Sequence, residues 1–224
     1  AACAELDIKS MIVSEAALRD GVFYDLIGRQ LHEDLREQTV SQFQKRYHVA
    51  INQANRVAAT ANVFMESLAQ HASVQELKYW QQYLDWAARL HEIGTDIAYT
   101  AYHKHTAYIL DQADMPGFSR KEQQLLSLLT LGQRGDVRKI EAQVGDNQMM
   151  WAAIFALRLA VLFCRARLPL ELPARTQLRF DTLKHSFILR ISQQWLEDNP
   201  LTAGALDNEV EQWAKTNTHF EVQP

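Results

Sequence analysis

Leu90-His91-Glu92-Ile93-Gly94 closes an amphipathic stretch that opens at Ser73-Val74-Gln75-Glu76. A Ser followed three residues later by Glu, just before an apolar-periodic run, is the signature of a capping box, so a helix is predicted from Ser73 to His91-Glu92. Gly94 suits the left-handed turn that ends such a helix. The pair His91-Glu92 therefore stands at a helix end. Its bland reading is a buried histidine in a helix–turn.

The rest of the chain reads outward from that helix as mostly α. Residues 34–47 place apolar side chains at Leu35, Val40, Phe43 and Tyr47. Asn52 can cap a helix in which Val57, Ala61, Phe64 and Leu68 form one stripe. Tyr102 to Asp111 is a further helix, and Pro116-Gly117 is a turn. Ser119-Arg120-Lys121-Glu122 caps a helix running to Leu131. Asp146 or Asn147 starts the most apolar helix, Met149 to Arg167. Beyond Pro169 and Pro173 the period changes to alternation. Leu178–Phe180 and Phe187–Ile191 read as strands joined by a turn at Thr182–His185, followed by a helix from Leu201 to Trp213 and a last strand at His219–Val222. The predicted class is mainly α with a small C-terminal α+β unit. That unit has the order β-β-α-β, with one helix on an antiparallel sheet.

Composition permits one main domain and a smaller one. The 224 residues are 47% hydrophobic and 22% charged, an ordinary globular balance with enough chain for a real core. No apolar run approaches bilayer-crossing length, and no basic-then-apolar leader is present, so a cytoplasmic protein is expected. Cys3 and Cys164 are expected to be free and reduced. The net charge of -4 hides segregation. Residues 134–190 hold ten Lys/Arg against five Asp/Glu, whereas residues 1–133 and 191–224 are both net acidic. A local positive field in an acidic protein suits a polyanion steered to one surface; its alternative is a solvated helix face. Neither a membrane nor a nucleic acid is expected as a partner.

The Leu-His-Glu-Ile-Gly stretch resembles the Leu-His-Asp-Ile-Gly signature of HD-type metal phosphohydrolases, with Glu in place of Asp. The resemblance implies a helical bundle whose ligands hold a divalent metal that activates water. The other ligand positions depart from it. The first-ligand helix, His-x-x-Arg-Val-Ala in that superfamily, reads Gln53-Ala54-Asn55-Arg56-Val57-Ala58 here. The closing Arg-Leu-Ala-Asp reads Arg158-Leu159-Ala160-Val161. Gln53, His91, Glu92 and Val161 thus form a degenerate site in which no tight metal is expected, since hard cations need imidazole or carboxylate donors.

A narrower likeness runs through about the first 135 residues. Leu18-Arg19-Asp20-Gly21-Val22-Phe23-Tyr24-Asp25-Leu26 resembles a segment of the exopolyphosphatase / guanosine pentaphosphate phosphohydrolase family. Arg46–Val49, Gln53–Ala61, Trp86–Gly94, Tyr102–Leu110 and Asp114–Ser119 follow in that family's order. The Tyr102-His103-Lys104-His105 block resembles the exopolyphosphatase branch. Where many of that branch read Gly-His-Arg, this chain has Gly132-Gln133-Arg134. Members carry an N-terminal actin-like half with Gly-rich phosphate loops and the carboxylate that activates water. No such loop is found among the eight scattered glycines. The resemblance therefore implies the C-terminal part of a longer enzyme. On it, residues 1–30 are the closing strand and helix of an actin-like half, residues 31–170 an HD-like helical domain, and residues 171–224 the small terminal domain. It also implies a homodimer, Mg²⁺ for the parent enzyme, no cofactor held by this chain, and no activity of this part alone.

Candidate ligand residues follow from charge and place. His103, Lys104 and His105 put cations at a helix start, where the helix dipole disfavours them, so phosphate contact is weighed against capping and a core histidine. Arg165 and Arg167 end the apolar helix, where cations favour the dipole in any case. Arg134 lies in a glycine-flanked loop, and Arg138 follows it in the basic segment. The expected ligand is inorganic polyphosphate, removed one terminal phosphate at a time by the parent enzyme. The alternatives are the nucleotide pppGpp, or a non-catalytic interaction module.

Overall fold

The computed structural model describes residues 35–224. The proposed actin-like remnant at 1–30, the Leu18–Leu26 block and Cys3 lie outside the described residues. Helix α1 covers residues 35–46. It is followed by α2 (Ile51–Leu68), α3 (Val74–Leu90), a 3₁₀ turn (Ile93–Asp96), α4 (Tyr102–Gln112), α5 (Arg120–Gly132), α6 (Arg138–Val144) and α7 (Gln148–Phe163). A second 3₁₀ turn (Cys164–Ala166) leads to β1 (Gln177–Asp181), β2 (Ser186–Arg190), α8 (Gln193–Asp198), α9 (Pro200–Trp213) and β3 (His219–Gln223). The chain is mainly α with a small α+β unit at its C-terminal end.

The caps show why the helices begin where they do. Ser73 accepts from the Glu76 N–H at the start of α3. Ser119 and Glu122 close a reciprocal capping box on α5, each satisfying the other's backbone N–H. Asn147 takes the Met150 N–H at the start of α7. Asn52 does not cap α2: the helix starts at Ile51, two residues earlier, behind Ala50 and with no side-chain cap.

Gly94 has a different duty from the one its position implies. It is buried inside the 3₁₀ turn, and its φ is not in the left-handed region. A Cβ there would lie 2.2 Å from the Tyr102 carbonyl oxygen and 2.5 Å from the Thr106 backbone nitrogen. The glycine lets the turn press against the start of α4, where its N–H donates to Thr106 Oγ1 at 3.0 Å.

Helix α7 is the axis of the core. Every residue from Trp151 to Ala160 is buried. It packs against α2, α3 and α5 on one side and reaches α9 on the other. By length and mean hydropathy the segment Gln148–Ala166 is able to cross a membrane, which the expectation of no such run overlooked. Two-thirds of it (67%) is buried within this fold around one paired arginine, as a central core helix would be. Its aromatic face carries the small unit. The ring of Phe155 stacks on Phe187 at 4.0 Å, and Trp213 and Phe220 meet it edge-on at 5.3 and 5.0 Å. One hydrophobic cluster thus runs from α1 to β3.

The sheet has the order β1-β2-β3. β1 and β2 form the expected hairpin, with Phe180 opposite Phe187. β3 is parallel to β2, with Phe187 opposite Phe220, so the expected all-antiparallel sheet is corrected to a mixed one. Parallel pairing requires a crossover of a dozen or more residues. The chain supplies it with two helices, α8 and α9, where one was expected.

Candidate functional site

The degenerate ligand positions and three of the candidate arginines meet in one cleft of about 460 Å³. Gln53 comes from α2, His91 and Glu92 from the end of α3, and Tyr99 and Tyr102 from the approach to α4. Gln133, Arg134 and Gly135 come from the end of α5, Arg158 and Val161 from α7, and Arg165 and Arg167 from the turn after it. The far wall belongs to α9, through Asn208, Glu209 and Gln212. Four guanidinium groups face two carboxylates here.

The floor is rigid because its polar groups are tied together. His91 is 1% exposed, and its Nδ1 lies 2.6 Å from the Ala88 carbonyl oxygen. A carbonyl only accepts, so Nδ1 carries the proton and Nε2 keeps the lone pair. Burial pushes the imidazole pKa down, with the Glu92 carboxylate opposing it. The His91 carbonyl accepts from Thr106 Oγ1 at 3.1 Å and from Gln133 Nε2 at 3.0 Å. Gln53 Nε2 donates to the Cys164 carbonyl at 2.8 Å, and its Oε1 accepts from Arg56.

These contacts decide what the site can hold. Arg167 binds Glu92 at 2.6 Å, Gln53 has both amide ends occupied, and Val161 offers no donor. Of the four ligand positions only the His91 Nε2 lone pair and the second oxygen of Glu92 remain, with Glu92 Oε1 3.9 Å from the imidazole. Among the described residues no three His, Cys, Asp or Glu side chains group so as to hold a metal ion. The donor set therefore does not fit a divalent cation, which needs several free oxygen or nitrogen ligands.

Arg158, which in the sequence only locates Val161, is a site residue in its own right. It is 2% exposed. Its Nε and Nη2 donate to the two oxygens of Glu209 at 2.8 Å, Nη1 donates to the Gly132 carbonyl at 2.7 Å, and Nη2 also donates to the Gly135 carbonyl at 3.0 Å. Four of its five N–H donors are thereby engaged, so it is a strut and not a free ligand group. A signal was present: a lone charge in the most apolar helix has to be paired.

Not every candidate lies in the cleft. Lys104 faces another depression, between α4 and α5, with Asp111 and Lys121. His105 is half-buried on α4. Arg138 is exposed, and Asp136 holds its guanidinium at 2.6 Å. His103, expected at a phosphate-facing helix start, is instead 6% exposed. It lies under Gly135, close to the Lys139 ammonium, and its Nδ1 has no partner among the described residues. Burial, with Lys139, Arg134, Lys104 and Arg158 nearby, holds its pKa at about 4. The same crowding pushes Lys139 down to about 7, burial being the larger cause.

A pH dependence follows. The unfolded chain binds a proton at His103 near pH 6.5, but the folded chain does so only near 4. The stability this contributes is full above about pH 6.5 and is lost as the pH falls toward 4. His91, shifted in the same direction, adds to the loss. The urea midpoint is expected to fall between pH 7 and 5, before most carboxylates titrate, and His103→Gln is expected to flatten that fall. An unchanged slope in the variant would refute the assignment.

An arginine-rich cleft between the helical bundle and α9 is suited to holding an anion. Comparison with known proteins identifies the family. Residues 35–210 match the family described as Ppx/GppA phosphatase, domain III, and the chain belongs to that family. It is 34% identical over 213 residues to the guanosine-5'-triphosphate,3'-diphosphate pyrophosphatase of Pseudoalteromonas translucida, covering 94% of this chain and 42% of that protein. The proteins of the same name from Vibrio atlanticus and Aeromonas hydrophila are 33% and 35% identical, over 91% and 94% of this chain and 40% and 42% of theirs. The chain thus spans about two-fifths of the length of the curated relatives it matches. These relatives carry the nucleotide name, so the expected lean toward the exopolyphosphatase branch is not supported by them.

Proposed function

We propose that this chain is the ligand-holding C-terminal region of a hydrolase acting on guanosine-5'-triphosphate,3'-diphosphate. The observation that carries the reading is the convergence of Arg134, Arg165 and Arg167 on one cleft. The relatives' names supply the ligand class. In this reading the guanidiniums grip phosphate oxygens, and Arg158 with Glu209 holds the cleft walls at a fixed spacing. Water activation and any Mg²⁺ belong to the part of the parent protein that this chain does not span. Here His91 is a neutral structural residue, since its Nδ1 proton is fixed and its neighbour Glu92 is paired with Arg167.

Titration of the 224-residue chain with pppGpp tests this. The nucleotide is expected to bind without release of phosphate, and more weakly as salt rises. Replacing Arg134, Arg165 and Arg167 together by Ala is expected to reduce affinity by about 100-fold, at roughly 1 kcal/mol for each exposed charge-assisted contact. Long-chain polyphosphate is the comparison. If it binds far more tightly than pppGpp and depends on the same arginines, the polyphosphate reading replaces this one. Binding indifferent to the triple substitution removes the cleft from either.

A further inference from the structure

Two features of the cleft have no use in holding phosphate. Tyr99 stands on its rim and is 76% exposed. Its ring lies 6.2 Å from that of Tyr102, and Tyr102 carries the Arg134 guanidinium 5.5 Å from its ring centroid. An aromatic surface in water thus continues directly into a cation. An exposed tyrosine alone is ordinary, but the second feature is not.

Gln133 is 2% exposed and lines the same cleft, and its Oε1 has no hydrogen-bond partner among the described residues. The amide is not free to turn. Its Nε2 donates to the His91 carbonyl at 3.0 Å, and a flip would set oxygen against oxygen. The cleft therefore holds one buried acceptor that lacks a donor, a state that ligand or water must relieve. Phosphate oxygens are acceptors and cannot relieve it. A purine base with N–H groups on its edge can, and its face suits the ring of Tyr99.

We infer that Tyr99 and Gln133 form the base-recognition part of this cleft, Tyr99 stacking on a guanine and Gln133 Oε1 accepting from its N1–H and 2-amino edge, while the arginines take the phosphates. Guanine presents donors at both of those positions. Adenine has only its 6-amino group, and a bare phosphate chain has neither donor nor face. The inference rests on the cleft being the phosphate site proposed above, and it goes further by naming the residues that choose the nucleotide.

The test compares four ligands on the 224-residue chain by calorimetry: GTP, inosine triphosphate, ATP and inorganic tripolyphosphate. GTP is expected to bind about tenfold or more tightly than tripolyphosphate, with inosine triphosphate and ATP between them. Tyr99→Ala is expected to lower GTP affinity about tenfold and to leave tripolyphosphate within about twofold, while Tyr99→Phe restores GTP binding. Tyr99 is exposed, so its replacement leaves the fold intact, and a thermal melt checks this. If GTP and tripolyphosphate bind equally and Tyr99→Ala changes neither, the base subsite is refuted while the phosphate site stands. If none of the four binds, the phosphate site fails and takes the base subsite with it. A Tyr99 effect without preference for GTP over inosine triphosphate and ATP would refute the role of Gln133.

Discussion

Arg158→Met is expected to lower the free energy of unfolding by about 3–5 kcal/mol, the range for breaking a buried ion pair from one side. Its guanidinium reaches Glu209 on α9 and the carbonyls of Gly132 and Gly135. Methionine fills the volume but leaves two carbonyls and a carboxylate without their donor. Glu209 is 19% exposed and recovers part of the loss from water. The double variant Arg158→Met with Glu209→Met is expected to lose less than the sum of the single variants, because neither then leaves a charge unpaired. Urea unfolding with an unchanged m-value is the measurement. A loss below about 1 kcal/mol for Arg158→Met would show that the strut does not hold the walls.

Gly94→Ala is the second large effect, about 3 kcal/mol, at the upper end for overpacking. The added methyl meets backbone at 2.2 and 2.5 Å, and neither atom can swing aside as a side-chain end would. Relief requires the start of α4 to move, and with it Tyr102 at the edge of the cleft. Gly132→Ala is the control. Its Cβ meets only side-chain atoms, of Ile154 at 2.8 Å and Ile140 at 3.0 Å, so a loss of about 1 kcal/mol is expected. Equal losses at the two glycines would refute the close-packing account of Gly94.

What the sequence disclosed and what it concealed divide along physical lines. The caps at Ser73, Ser119 and Asn147 are local, and each is where the side-chain pattern puts it. The hairpin at Thr182–His185 is local as well. The direction of β3 is not. It depends on how α8 and α9 cross the sheet, and alternation of side chains is the same in a parallel strand as in an antiparallel one. α6 (Arg138–Val144) was missed because its charged stretch reads as a solvated segment, and only Ile140 and Val144 of it are buried. Resemblance grouped Gln53, His91, Glu92 and Val161, and charge singled out Arg134, Arg165 and Arg167, but nothing in the sequence put the two sets in one cleft. The α9 wall could not be anticipated, since nothing in Asn208-Glu209 signals a partner 51 residues earlier. The burial of His103 is hidden in the same way, because net charge at a helix start says nothing about which side chain turns inward.

The stack around Phe155 also has a consequence for how the chain is made. A ribosome releases α7 well before Phe187, Trp213 and Phe220, the rings that cover it. Until β3 emerges, the nascent polypeptide carries a membrane-grade apolar helix with an open aromatic face, and β2 has one unpaired edge. Folding factors that bind exposed hydrophobic segments would find their target in that interval, and a message truncated just before His219 would yield a sticky, degradable product despite holding every residue that lines the cleft.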